Sequence, residues 1–210
     1  LLQPIFNDEV FSLKDNSFNF KTIKPNYSFN QFEGQIDTGK MMEALLSKAQ
    51  QDGIKILNNC TVKQFDEDTN AVKVETQDFE FSTKNVLIAT NGFATKLIEQ
   101  VVKPARAQVL ITKPIKDLHI KGTFHLDEGY YYFRNINNRI LFGGGRNLDF
   151  KTEETAEFGE TKIIQNKLED LLKRAILPNT KFEIDHSWSG IMGVGQQKKA
   201  IVKQISNHVY

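Results

Sequence analysis

Residues Gly34-Gln35-Ile36-Asp37-Thr38-Gly39-Lys40-Met41 carry the spacing of a phosphate-binding loop up to its last position. That chemistry needs a Ser or Thr hydroxyl on magnesium after the lysine, and Met41 offers a thioether instead. It also needs an apolar strand leading in, which Phe29-Asn30-Gln31-Phe32-Glu33 does not supply. A turn followed by a helix capped near Asp37 explains the same letters. A second glycine cluster, Gly143-Gly144-Gly145-Arg146, follows a strand-like run but opens onto Asn147-Leu148-Asp149 rather than a helix, so it lacks the dinucleotide fingerprint. It reads either as a turn or as a place where absent side chains admit a flat ligand to the backbone, with Arg146 beside it as an anion partner. Gly190-Ile191-Met192-Gly193-Val194-Gly195 is also glycine-rich and also lacks the full spacing.

Tyr130-Tyr131-Tyr132-Phe133 would place two rings on each face of a strand, where core packing is the ordinary fate. Trp188, the only tryptophan, reads as a buried anchor after the alternating run Phe182 to Asp185. His119, His125, His186 and His208 are dispersed without metal-ligand spacing, and no metal site is expected. Cys60 has no activating base nearby in sequence and reads as inert.

These groups need a scaffold, and the pattern of apolar residues outlines one. Asp37-Thr38 precedes Met41, Ala44, Leu45, Leu46 and Ala49, an amphipathic helix ended by Asp52-Gly53. Ile54-Lys55-Ile56 reads as a short strand, and Thr61–Phe65, Ala71–Thr76 and Asp78–Ser82 as a small antiparallel meander. Val86-Leu87-Ile88-Ala89 is a continuous apolar run, the signature of a strand covered on both faces and central in a parallel sheet. Before residue 34, short strands and loops are expected around Phe18-Asn19-Phe20 and Tyr27-Ser28-Phe29. After Pro104 the chain turns mostly antiparallel β, with strands over Gln108–Thr112, Gly129–Phe133 and Arg139–Phe142. One long helix is expected over Thr152–Leu177, with Ile163, Ile164, Lys167, Leu168, Leu171, Leu172 and Ala175 as its buried stripe. The fold class is therefore α+β.

The bulk composition narrows the function. The 210 residues hold 27 Lys+Arg against 26 Asp+Glu, a net charge of +1, so no global field attracts nucleic acid or an anionic membrane. A single cysteine excludes an intramolecular disulfide and fits a reducing, cytoplasmic compartment. No apolar run approaches the roughly 20 residues of a membrane span. Both ends read as cut from something longer.

Taken in order, Gly34-x-Ile36-Asp37, Gly53-x-x-Ile56, Thr61-Val62, Val74-x-Thr76, Val86-Leu87-Ile88-Ala89-Thr90-Asn91-Gly92, Pro104-x-Arg106-x-Gln108, Tyr131-Tyr132-Phe133-Arg134, Phe142 to Arg146 and Trp188 to Gly193 resemble the middle and late parts of the D-amino-acid oxidase family of flavoproteins. The branch of glycine/sarcosine and γ-glutamylputrescine-type oxidases is the nearest in kind. The resemblance implies an internal fragment that lacks the N-terminal dinucleotide-binding motif. Residues 1–36 and 104–186 would form a mostly antiparallel substrate-binding domain covered by the long helix. Residues 37–103 and 187–210 would form a partial FAD-binding domain, with the meander and the buried parallel strand.

The resemblance also implies site residues. Val62 would contact the adenine side through its backbone, and Ala89, Thr90, Asn91 and Gly92 would form the sheet-end loop beside a non-covalent FAD. Trp188, Gly190 and Met192 fall where the family's chain passes the isoalloxazine ring, a stretch without the cysteine a thioether link would need. Tyr130, Tyr132 and Arg134 would wall the substrate pocket, with Arg146 on the hairpin partner. Amino-acid-oxidising members often carry an arginine where Met192 stands, to fork onto the substrate carboxylate. An amine without an adjacent carboxylate is then the expected substrate, unless Arg134 or Arg146 supplies the charge. The implied reaction takes a hydride from the carbon next to a neutral amine to flavin N5, with imine hydrolysis and oxygen or another electron acceptor to follow. The isolated stretch would hold little flavin and be inactive. Two other readings stand beside this one: a non-catalytic α+β module binding a ligand or partner, and a nucleoside-triphosphatase using Gly34 to Lys40.

Overall fold

The computed structural model describes residues 3–99, 102–197 and 199–210. Its architecture is α+β, and the chain divides into two compact units: Leu1–Ile36, Arg106–Glu153 and Phe158–Gly190 in the first, Asp37–Ala105, Glu154–Glu157 and Ile191–Tyr210 in the second.

The first unit opens with a short helix, α1 (Gln3–Phe6), and an antiparallel ribbon of β1 (Phe11–Asp15) and β2 (Asn26–Asn30). Its main sheet has five strands in the order β10-β6-β9-β8-β7. These are β6 (Lys103–Thr112), β7 (Thr123–Leu126), β8 (Tyr131–Ile136), β9 (Arg139–Gly144) and β10 (Ile184–Val194). Alternation assigns the faces: Leu110, Tyr131, Phe133, Ile140 and Phe142 are buried on one side. Helix α3 (Lys162–Leu171) brings Ile164, Leu168 and, one turn on, Leu172 onto that side. Phe18 and Phe20 pack edge-on against Phe124, and Phe124 stacks on Phe133 with centroids 4.6 Å apart. The Phe18–Phe20 segment is a loop rather than a strand, because Asn19 takes φ +60° and the Asn16 amide brackets Phe20, donating to its carbonyl and accepting from its N–H.

The helix is shorter than the apolar pattern suggests. Residues 152–160 do not join it, since Arg106 N–H donates to the Glu153 carbonyl at 2.8 Å and the Glu153 side chain is drawn down to β6. Thr161 is the N-cap, and Ile163, expected in the stripe, is exposed. At the far end a π turn over Leu172–Ile176 lets Leu177 N–H reach the Leu172 carbonyl, and Pro178 follows.

In the second unit, α2 (Thr38–Gln51) starts where Asp37 accepts from Lys40 N–H. That carboxylate occupies the helix N-terminus, which is the reverse of what a bound phosphate requires. Strands β3 (Val62–Glu67), β4 (Val72–Thr76) and β5 (Glu80–Thr83) form the antiparallel meander. Val86–Ile88 pairs in parallel with 208–210, through Val86 N–H to His208 O, Tyr210 N–H to Val86 O and Ile88 N–H to Tyr210 O. The parallel pairing follows the sequence pattern, but cover on both faces does not: Val72, Val74 and Val209 pack one side, whereas Leu87 on the other is 75% exposed. The apolar stripe of α2 is likewise open at Met42, Leu45 and Leu46. Residues 54–56 form no strand, and Ile54 and Ile56 are exposed.

Candidate functional site

Strand β8 separates two jobs by parity. Tyr131 and Phe133 point into the core, while Tyr132 and Arg134 lie on the opposite face. Tyr132 faces Gly143 on β9 and His125 on β7. A Cβ at Gly143 would lie 2.5 Å from Val109 Cγ1 and 2.8 Å from the Tyr132 hydroxyl, so only glycine lets the Tyr132 ring lie across β9. Burial pushes the Tyr132 phenol above its ordinary value of 10.0, which keeps its proton on the oxygen at neutral pH.

At the end of this hairpin Gly144 and Gly145 both take positive φ, and Gly145 N–H donates to the Tyr130 carbonyl at 3.0 Å. The turn delivers Arg146 onto the face of Phe150, 4.9 Å from guanidinium carbon to ring centroid, and Phe150 meets the Tyr130 ring edge-on. Tyr130, Arg146 and Phe150 therefore form one group. Arg134 is at the other end of the strand, where its Nη1 donates to the Ile36 carbonyl at 2.5 Å. Trp188 is not a buried anchor: it is 40% exposed and stacks on His186 with centroids 5.0 Å apart. The position next to it in alternation, Gly190, has open space where a Cβ would stand.

In the second unit the turn after Ile88 leaves Ala89, Thr90 and Asn91 exposed and Gly92 buried. Asn91 takes φ +50° and its Oδ1 accepts from Gly193 N–H at 2.8 Å. Gly92 sits so close to the Met192 carbonyl that a Cβ would lie 2.5 Å from that oxygen. The turn is thus buttoned to the glycine-rich end of β10. Asn91→Ala should remove the Gly193 acceptor and strain the left-handed backbone, costing about 1–2 kcal/mol. Asn91→Gly, which accepts that φ, should cost less, and urea unfolding of the pair separates the two contributions.

A cavity of about 1120 Å³ opens beside this turn, lined by Ala89, Asn91, Gly193, Gly195, Lys199 and Lys203 with apolar neighbours such as Ile88 and Val102. Small side chains, exposed backbone, three side-chain amides (Asn91, Gln197 and Gln204) and two ammonium groups suit a flat heteroaromatic ring carrying phosphates, so these residues fit part of a flavin dinucleotide. Val62 lies on the meander at a register shift and does not line this cavity. A larger cavity, about 1380 Å³, lies in the first unit along β2 and β7 and includes none of the expected site residues. Among the described residues no group of three or more His, Cys, Asp or Glu could hold a metal, and no helix is long and apolar enough to cross a membrane. Phe150, His125 and the two lysines escape sequence reading, since only the folded hairpin and cavity wall bring them to the others.

An antiparallel sheet with an aromatic strand is thus joined in sequence to a β-meander and a glycine-lined turn. The family model described as DAO, FAD dependent oxidoreductase, matches residues 26–210, and the chain belongs to that family. Among solved structures it is similar to L-proline dehydrogenase from P. horikoshii, with a TM-score of 0.72 and 22% identity over 89% of this chain and 52% of that one. Glycine oxidase from Geobacillus kaustophilus gives a TM-score of 0.74 at 16% identity, covering 88% of this chain and 50% of the other. Iminodiacetate oxidase from Chelativorans sp. BNC1 gives 0.70 at 14% identity, covering 94% and 56%. The chain thus spans about half the length of the solved structures it matches. No curated protein matches it.

Proposed function

We propose that this chain is part of a cytoplasmic FAD-dependent enzyme that oxidises the C–N bond of an amine or amino acid, with oxygen the electron acceptor. The supporting observation is the second unit's cavity, whose glycine and alanine wall fits part of the cofactor in a chain of an FAD-dependent family. When bound, flavin supplies the two-electron acceptor for a hydride leaving the carbon next to nitrogen.

The chain's own residues have the remaining tasks. Ala89–Gly92 and Gly193 present backbone to the cofactor, with Asn91 fixing their spacing. Val62, Trp188 and Gly190 are assigned to the cofactor as well. Tyr130 and Tyr132 wall the substrate side, where their rings exclude water and favour a neutral amine over an ammonium ion. Tyr132 keeps its proton on Oη and can donate to a substrate acceptor, since among the described residues nothing else takes it.

Anaerobic mixing of the flavin-loaded protein with a primary amine, a secondary amine and an α-amino acid tests the reading, the flavin absorbance bleaching with at least one. No bleaching with any of the three would remove it. Met192→Arg should raise the turnover ratio of amino acid to amine by about tenfold, the size of one added charge-assisted contact. An unchanged ratio would take Met192 off the substrate side.

A further inference from the structure

The outward face of the first unit's sheet carries a linked series of side chains that ends on Trp188. Alternation on β9 buries Ile140 and Phe142 and turns Arg139 out to the face that holds Gly143 and Tyr132. Arg139 Nη1 donates to Asp185 Oδ2, near the start of β10 and across β6 in the sheet. The same carboxylate oxygen lies 3.3 Å from His186 Nδ1. The His186 ring stacks on the Trp188 indole, with centroids 5.0 Å apart and planes 27° from parallel.

Proton accounting fixes what each link does. The hydrogen bond from Arg139 holds the Asp185 carboxyl below its ordinary 3.8, so at neutral pH that group only accepts. His186 Nδ1 therefore carries the hydrogen, and the bond to Asp185 fixes a ring torsion that is otherwise broad. The backbone beneath is anchored separately. Ser187 Oγ donates to Glu160 Oε2 at 2.6 Å, and Ser189 Oγ accepts from Gly159 N–H at 3.0 Å. These two serines alternate with Trp188, so they secure the strand without touching the indole. What the strand leaves open is the plane of a ring that is 40% exposed, and the imidazole is the ring it rests on.

We propose that His186 is a positioning residue: pinned by Asp185, which Arg139 holds in turn, it sets the plane of the Trp188 indole. The benefit falls on the next position in alternation. Gly190 has open space where a Cβ would stand, so a flat group lying over it meets the indole at the angle that His186 imposes. For a flavin in that place the inference rests on the reading of Trp188 and Gly190 as cofactor contacts. The coupling of Asp185 to Trp188 through His186 stands on the contacts alone.

Trp188 is the only tryptophan of the chain, so indole signals report on it directly. The test is acrylamide quenching of its emission and its near-ultraviolet circular dichroism, without added flavin, with urea unfolding of each variant alongside. His186→Ala should raise the quenching constant about twofold or more and flatten the indole dichroism, as loss of one ring stack requires. Asp185→Ala, or Asp185→Asn if the alanine variant folds poorly, should move both signals the same way, yet move neither when His186→Ala is already present. Unchanged signals in His186→Ala or in both Asp185 variants would overturn the proposal, as would an Asp185 effect that survives in the double variant. A shifted urea midpoint with unchanged indole signals would also overturn it, leaving an ordinary surface ion pair. After flavin loading, quenching of Trp188 emission by the flavin should weaken in His186→Ala, and equal quenching in the two proteins would overturn the positioning role. Emission that flavin leaves unaltered in every variant, with the coupling of Asp185 to Trp188 intact, would uphold the coupling while removing Trp188 from the cofactor.

Discussion

Arg106→Ala is expected to lower the free energy of unfolding by about 3–5 kcal/mol, measured by urea denaturation, because it strands a buried carboxylate. Glu153 is 0% exposed and takes Arg106 Nε at 2.9 Å and Nη2 at 2.8 Å, a bidentate pair closed further by Gln108 Nε2 at 3.0 Å. Gln108 in turn accepts from Thr161 N–H and Gln165 Nε2, so the network ties β6 to the start of α3. Replacing both partners with apolar residues, Arg106→Met with Glu153→Leu, should recover most of the loss, since no charge is then left unpaired. Burial works against the Glu153 carboxylate as the largest single influence, but the hydrogen bonds from Arg106 and Gln108, the Arg106 charge and the Thr161 hydroxyl together bring it below its ordinary 4.5. A folded-state value below the unfolded one stabilises above pH 4.5, and the stabilisation is lost as pH falls through the folded value. The double variant should show a flatter stability profile in that acidic window.

Gly144→Ala should be nearly as damaging, at about 3 kcal/mol or more. The residue takes φ +122°, and an added Cβ would lie 2.1 Å from the Tyr130 carbonyl oxygen and 2.8 Å from Tyr131 Cα. Both obstacles are backbone and cannot rotate aside, so strain of roughly 1–3 kcal/mol adds to a steric term of similar size. The Tyr131↔Gly144 end of the β8–β9 ladder would open, and the Gly145 to Tyr130 bond that sets Arg146 would go with it. Gly34→Ala is the matched control, with nothing within 4 Å of its Cβ. Thermal melts of the two should differ by about 6–12 °C, and near-equal melting would show that the hairpin end yields freely.

Period-two and period-three-to-four patterns were legible at several elements with one face on their own unit's core, though not at β7, whose Phe124 and Leu126 also pack there in a four-residue strand too short to show alternation. The meander, β8, β9 and the Ile164–Leu168–Leu172 stripe are the legible ones. Reading failed where a contact distant in sequence decided the outcome. Glu153 belongs to a helical-looking run, yet Arg106, 47 positions away, pulls it out. Leu87, Ile54 and the α2 stripe look like core by composition, but nothing among the described residues of their unit covers them. Within the site, the glycine and aromatic letters were visible, whereas the difference between Arg134 and Arg146 was not. It depends on which guanidinium a backbone carbonyl happens to meet.

The alternation of β8 has a bearing on how such a protein changes over time. Odd-numbered positions 131 and 133 are welded into the hydrophobic layer, while even-numbered 132 and 134 hang outside it. The outward set can therefore change with little penalty in folding, provided position 143 stays without a side chain to leave the outward ring its resting place.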